Sequence, residues 1–149
     1  IFESCERQGL AKPSRLLSQG ATERSGVYLM GNFNIIPKST DLMEYTIRIT
    51  SNRKRYPTKY IQLIKRIQDK SMDIYEFIFD ANRLDLNTEK EKRTKLQTKA
   101  ISSCDKLSCF IEMSMNLNLV GSDTVAIWQK KIDDVKYMTI AWREKDKKR

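Results

Sequence analysis

The chain contains no histidine. That absence excludes Ser-His-Asp and Cys-His nucleophilic catalysis, most zinc hydrolase sites and the commonest general base. No GxxxxGKS, GxxxxGKT or GxGxxG string occurs either, so no glycine loop is present to cradle phosphates. The three cysteines, Cys5, Cys104 and Cys109, show no CxxC spacing, and without histidine they do not complete a metal ligand set. They read as small buried hydrophobes in a reducing compartment, with Cys104 and Cys109 on different faces of one helix. The adjacent carboxylates Asp133 and Asp134 also point to different faces of a helix, which rules them out as an acid–base pair. No enzyme activity, metal or cofactor is expected.

Breakers are scarce as well. The chain has three prolines, and four of its five glycines fall within the first 31 residues, leaving Gly121 alone after Asn32. Such a chain favours long helices over a many-turned sheet. Apolar runs are only a few residues long, too short to span a bilayer. Residues 1–10 already carry Glu3, Glu6 and Arg7 and do not read as a signal peptide, so the expected location is cytoplasmic.

What is present is helical periodicity. Residues 1–29 lack a sustained apolar period; residues 1–38 read as a poorly structured N-terminal lead, either foreign to a natural start at Met30 or a short ordered arm, followed by a helical domain over 39–149. The first helix, near 40–53, is expected to start at the caps Ser39, Thr40 and Asp41. It should end in Arg53, Lys54 and Arg55 before Pro57. The second, near 58–84, is capped by Thr58. It carries a heptad seam at Tyr60, Ile64, Ile67, Ser71, Ile74, Ile78 and Ala81. Met72, Tyr75 and Phe79 add a second apolar flank, which is either extra core or a subunit contact. The third helix, near 88–119, opens on a Thr88–Glu91 capping box. It turns apolar from Leu96 through Ala100, Ser103, Leu107 and Phe110, with Gly121 as its left-handed stop. The fourth, near 123–145, faces inward with Val125, Trp128, Ile132, Val135, Met138 and Trp142. Short connections between four helices predict an all-α, antiparallel up-down-up-down four-helix bundle.

The net charge is +9, and the bases are clustered. Arg53, Lys54, Arg55, Lys59, Lys65, Arg66 and Lys70 stand against the single acid Asp69. Lys90, Lys92, Arg93, Lys95 and Lys99 stand against Glu91. The tail carries Arg143, Lys145, Lys147 and Lys148, with Arg149, against Glu144 and Asp146. In the predicted bundle the second and third groups merge at one end and the first crowns the other. One such run is ordinarily a solvated face, but three of the same sign point to a polyanion, met through phosphates and shape rather than base edges. A membrane surface is not expected, because the basic stretches lack an apolar face.

Three regions of the chain then show a resemblance. Arg55-Tyr56-Pro57-Thr58-Lys59 resembles the turn between the first two helices of small bacterial four-helix-bundle proteins. Leu63 to Gln68 and Met72 to Arg83 are similar to their second helix, and Ile132 to Met138 with Ala141-Trp142 to their last. The family comprises the accessory variability proteins of diversity-generating retroelements and the proteins encoded in 23S rRNA intervening sequences. The resemblance covers about Asp41 to Trp142. Ile64, Ile140 and Ala141 stand where the family has glycine. The resemblance implies a homopentameric barrel of bundles. In the retroelement branch it also implies partnership with a reverse transcriptase and its RNA; the other branch implies a self-assembling bundle without that role.

Overall fold

The computed structural model describes residues 34–149. Cys5 and most of the expected lead lie outside them. Among the described residues there are four α-helices and no strand: α1 (Ile35–Thr50), α2 (Ile61–Arg83), α3 (Lys90–Asn116) and α4 (Ser122–Lys147). A 3₁₀ turn, Thr58–Tyr60, leads into α2. The helices close a ring: α2 packs against α1 and α3, and α4 against α3 and α1.

The α2 seam is as its periodicity predicts. Ile64, Ile67, Ser71, Ile74, Ile78 and Ala81 are all buried, and Tyr60 is half-buried. Ala100, Cys104, Leu107 and Ile111 face them from α3, and Trp128, Ile132, Val135 and Trp142 complete the core from α4. Each fully buried aliphatic side chain contributes about 1.5–3 kcal/mol of transfer free energy. Phe110, Val125 and Met138 pack at the core's edge, half-buried.

The helix ends differ from expectation, each for a local reason. α1 begins at Ile35, and Pro37 sits inside its first turn, where a missing N–H costs nothing. Ser39 and Thr40 do not cap. Their hydroxyls donate back to the Ile36 carbonyl at 2.8 and 3.0 Å, as hydroxyl residues do inside helices. α1 stops at Thr50 rather than running to Arg53. The Asn52 side chain accepts from the Lys54 N–H at 3.0 Å, and its carbonyl accepts from Arg55 and Tyr56, folding residues 52–56 into a turn. Tyr56, fully buried, plugs that end of the core beside Ser114.

The Thr88–Glu91 capping box does not form. α3 starts at Lys90 without a side-chain cap, because residues 85–89 fold around Asp85 instead. The Asp85 carboxylate accepts from Asn87 at 2.7 Å and its carbonyl from Glu89 at 2.8 Å. Gly121 is not the stop of α3 either. Asn118 takes the left-handed conformation at φ 61°, Leu119 N–H donates to the Ser114 carbonyl, and Asn118 N–H donates to Met115. This is a Schellman stop one residue past Leu117, with Asn supplying the positive φ. Gly121 is extended, at φ −85°, and precedes α4, taking the position expected for Ser122 or Asp123.

Candidate nucleic-acid interface

The basic side chains occupy two regions. At one end, Arg53, Lys54 and Arg55 project from the α1–α2 turn, all exposed. Arg53 Nη1 donates to the Tyr56 carbonyl at 3.5 Å, and Arg55 Nη1 to Thr124 Oγ1 at 3.1 Å, which places this turn against the start of α4. Lys59 lies over the Tyr60 ring at 5.4 Å. Lys65 and Arg66 are exposed on the next turns, and half-buried Lys70 pairs with Asp73 at 3.4 Å.

At the other end the start of α3 meets the end of α4, as expected for the second and third clusters. Arg143 Nη1 donates to Thr98 Oγ1 at 3.1 Å. Lys92, Lys95, Lys99, Lys145, Lys147 and Lys148 are exposed, and Lys90 is half-buried. Lys92 pairs with Glu89 at 3.8 Å and Lys147 with Glu144 at 3.2 Å, surface contacts each worth about 0–1 kcal/mol. Between Thr124 and Asp146, α4 spans about 33 Å at 1.5 Å per residue, which separates the two regions.

Arg93 leaves the expected phosphate-binding set. Its side chain is 3% exposed and cannot meet a phosphate in solvent. Nε and Nη2 donate to the Asp146 carboxylate at 2.7 and 3.3 Å, and Nη1 donates to the Leu84 carbonyl at 3.0 Å. The guanidinium lies 5.1 Å from the Trp142 ring centroid, and Gln97 Nε2 also donates to Asp146 at 2.8 Å. The distribution of charge along the sequence does not reveal this network. A signal for it did exist: Arg93, Gln97 and Ala100 fall at helical spacing on one face of α3, and Trp142 and Asp146 continue the inward stripe of α4.

Of the expected subunit flank, Met72 and Tyr75 are half-buried and Phe79 is 38% exposed. The Tyr75 and Phe79 rings lie 5.9 Å apart, and Arg83 covers Phe79 at 5.6 Å. The two described cysteines split. Cys104 is buried, its thiol pushed up to about 12 by desolvation, whereas Cys109 is exposed and so is not the buried hydrophobe expected. No group of three potential metal-ligating side chains occurs among the described residues.

Asp133 and Asp134 diverge as expected. Asp133 accepts from Gln129 at 3.1 Å, while the Asp134 carboxylate is buried with no hydrogen-bond partner among the described residues. Burial pushes the Asp134 pKa up to about 6, against ~3.9 for an unfolded aspartate. Between those values the folded state holds a proton that the unfolded state has released, so stability falls as pH rises from about 4 through about 6. Asp134→Asn removes the titration. The variant is expected to match or exceed wild-type stability at neutral pH and to lose that slope in urea melts across the interval. A slope that persists in the variant would assign the effect to another group.

The chain matches no family model, no curated protein sequence and no solved structure. Among the described residues no helix is long and apolar enough to cross a membrane.

Proposed function

We propose that this protein is a non-catalytic bundle of antiparallel up-down-up-down order that binds RNA or a DNA–RNA hybrid through its backbone. On this reading it is a cytoplasmic accessory subunit to a reverse transcriptase, as the resemblance to the retroelement family implies. The observation that carries the nucleic-acid reading is that most clustered bases are exposed: Arg53, Lys54, Arg55, Lys59, Lys65 and Arg66 toward one end, and Lys92, Lys95 and Lys99 toward the other. The cross-helix pairs support the antiparallel order. Going up α3 from Arg93 to Thr98, Asp105 and Ser108, the α4 partners run down from Asp146 to Arg143, Lys136 and Gln129.

A triple substitution of Arg53, Lys54 and Arg55 by glutamine tests the reading by fluorescence anisotropy with labelled RNA. Affinity is expected to fall alike for unrelated sequences, since phosphate contacts carry no base information. Loss confined to one sequence, or no loss, would contradict it.

Assembly is a separate component of the proposal. Phe79, with Met72 and Tyr75 beside it, is the expected contact in a homopentamer, and it equally favours the self-assembling bundle of the intervening-sequence branch. Light scattering is expected to give a mass five times the 17.5 kDa chain, and Phe79→Asp to reduce it. A monomeric wild type would overturn the assembly.

A further inference from the structure

We propose that the outer seam between α2 and α3 is a track for single-stranded nucleic acid, held by Arg66 and Lys70 on α2 and by Lys95, Lys99 and Lys106 on α3. The proposal rests on the nucleic-acid reading above and adds a location and a strandedness to it.

The α3 side is a straight stripe. At 100° per residue, positions 92, 95, 99 and 106 fall within an arc of about 60°, and at 1.5 Å per residue they extend over about 21 Å. All four are exposed lysines. Lys106 belongs to none of the charge clusters visible in the sequence, because its neighbours there are Asp105 and Leu107. In the fold Asp105 turns toward α4, where Lys136 holds it at 2.7 Å, and Lys106 is left on the stripe. Among the described residues no carboxylate forms an ion pair with Lys95, Lys99 or Lys106.

α2 supplies the second bank. The Lys99 amino group lies 5.8 Å from the Phe77 ring centroid, and Arg93 reaches the Leu84 carbonyl. The same progression, two turns further along each helix, brings Lys70 level with Lys106, with Arg66 on the turn beyond. Among the described residues the ion-paired acid on this bank is Asp73, whose 3.4 Å contact with Lys70 is a partly exposed pair that a phosphate can displace. Phe77 and Phe110 are half-buried along the seam, and partly exposed rings beside a basic groove are what unstacked bases stack on. A duplex keeps its bases stacked inside and carries its phosphates on a winding path, so it follows a straight stripe poorly. A single strand can lie along it. Gln68 contacts Thr50 of α1 at 2.9 Å, which marks the other side of α2; by helical register Met72, Tyr75 and Phe79 lie toward that side. Assembly through them leaves the seam open.

The test uses the full chain carrying Cys5→Ser, labelled oligouridylate as probe, and maleimide alkylation of Cys109 as a footprint. Cys109 is exposed about one turn beyond Lys106, whereas Cys104 is buried and unreactive. Oligouridylate is expected to bind with steep salt dependence and to slow Cys109 alkylation severalfold. Lys95→Gln/Lys99→Gln/Lys106→Gln should lower the slope of log K against log salt by about 2, at ~0.7 per lost contact, and weaken binding about 100-fold at 0.1 M salt. Wild-type binding with neither Cys109 protection nor loss in the triple variant would overturn the seam and leave the broader reading standing. No salt-dependent binding at all would overturn both. Equal affinity and protection with a duplex would overturn the strandedness, and equal protection by polyglutamate would overturn the nucleic-acid assignment of the seam.

Discussion

Asp146→Ala is expected to destabilise the bundle by about 3–5 kcal/mol, the range for removing one partner of a buried ion pair. The carboxylate is 1% exposed and takes both Arg93 and Gln97. Its removal leaves a guanidinium buried with, among the described residues, only the Leu84 carbonyl and the Trp142 ring as partners. The cost comes from that uncompensated charge more than from lost attraction, which gives the prediction a second part. Arg93→Met/Asp146→Leu removes both charges and keeps apolar volume, so it should recover most of the loss or exceed wild type by about 1–4 kcal/mol. Urea melts of the two variants decide it. A loss below about 1 kcal/mol for Asp146→Ala, the range of an exposed pair, would mean that water reaches the pair.

Trp128→Ala should cost about 3–5 kcal/mol, as large aromatic truncations in a packed core do. Trp128 is fully buried, meets the Tyr45 ring edge-on at 6.2 Å, and donates from Nε1 to Thr46 Oγ1 at 2.9 Å. Just beyond it Lys131 bonds Asp41 at 2.7 Å, so this contact ties α4 to α1. Trp128→Phe separates the two contributions. It keeps most of the ring volume and leaves the Thr46 oxygen without its donor, which alone costs about 1–3 kcal/mol. In Trp128→Phe/Thr46→Val that orphan is gone, and the double variant should be more stable than the sum of the singles predicts. Strict additivity in the cycle would mean that the hydrogen bond contributes nothing.

How far the sequence carried follows from which interactions are local. The α2 seam is legible because six isoleucine, alanine and serine positions at alternating steps of three and four satisfy one face of one helix, whatever lies opposite. The helix ends are less legible because several residues in each compete for the same backbone groups. Ser39 bonds back into its helix instead of capping it, Asn52 ends α1 before the basic triplet, and Asn118 takes the positive φ that Gly121 would also permit. The Arg93–Asp146 pair joins residues 53 positions apart, so only the inward register of each residue on its own helix marks it, and its charge reads as one more member of a basic or mixed surface run. Lys106 shows the converse. It is isolated in sequence and joins a stripe only once Asp105 is drawn toward α4.

Whether the exposed bases bind a nucleic-acid backbone is decided by the salt dependence of RNA binding by the unaltered protein. Each lysine or arginine that displaces a condensed counterion adds ~0.9 to the slope of log K against log salt on a duplex and ~0.7 on a single strand. With about four to six bases engaged per chain, affinity measured by anisotropy should fall roughly two orders of magnitude or more between about 50 and 200 mM salt. A flat affinity across that range, or no measurable binding at its lower end, would mean that the charge is only a solvated surface.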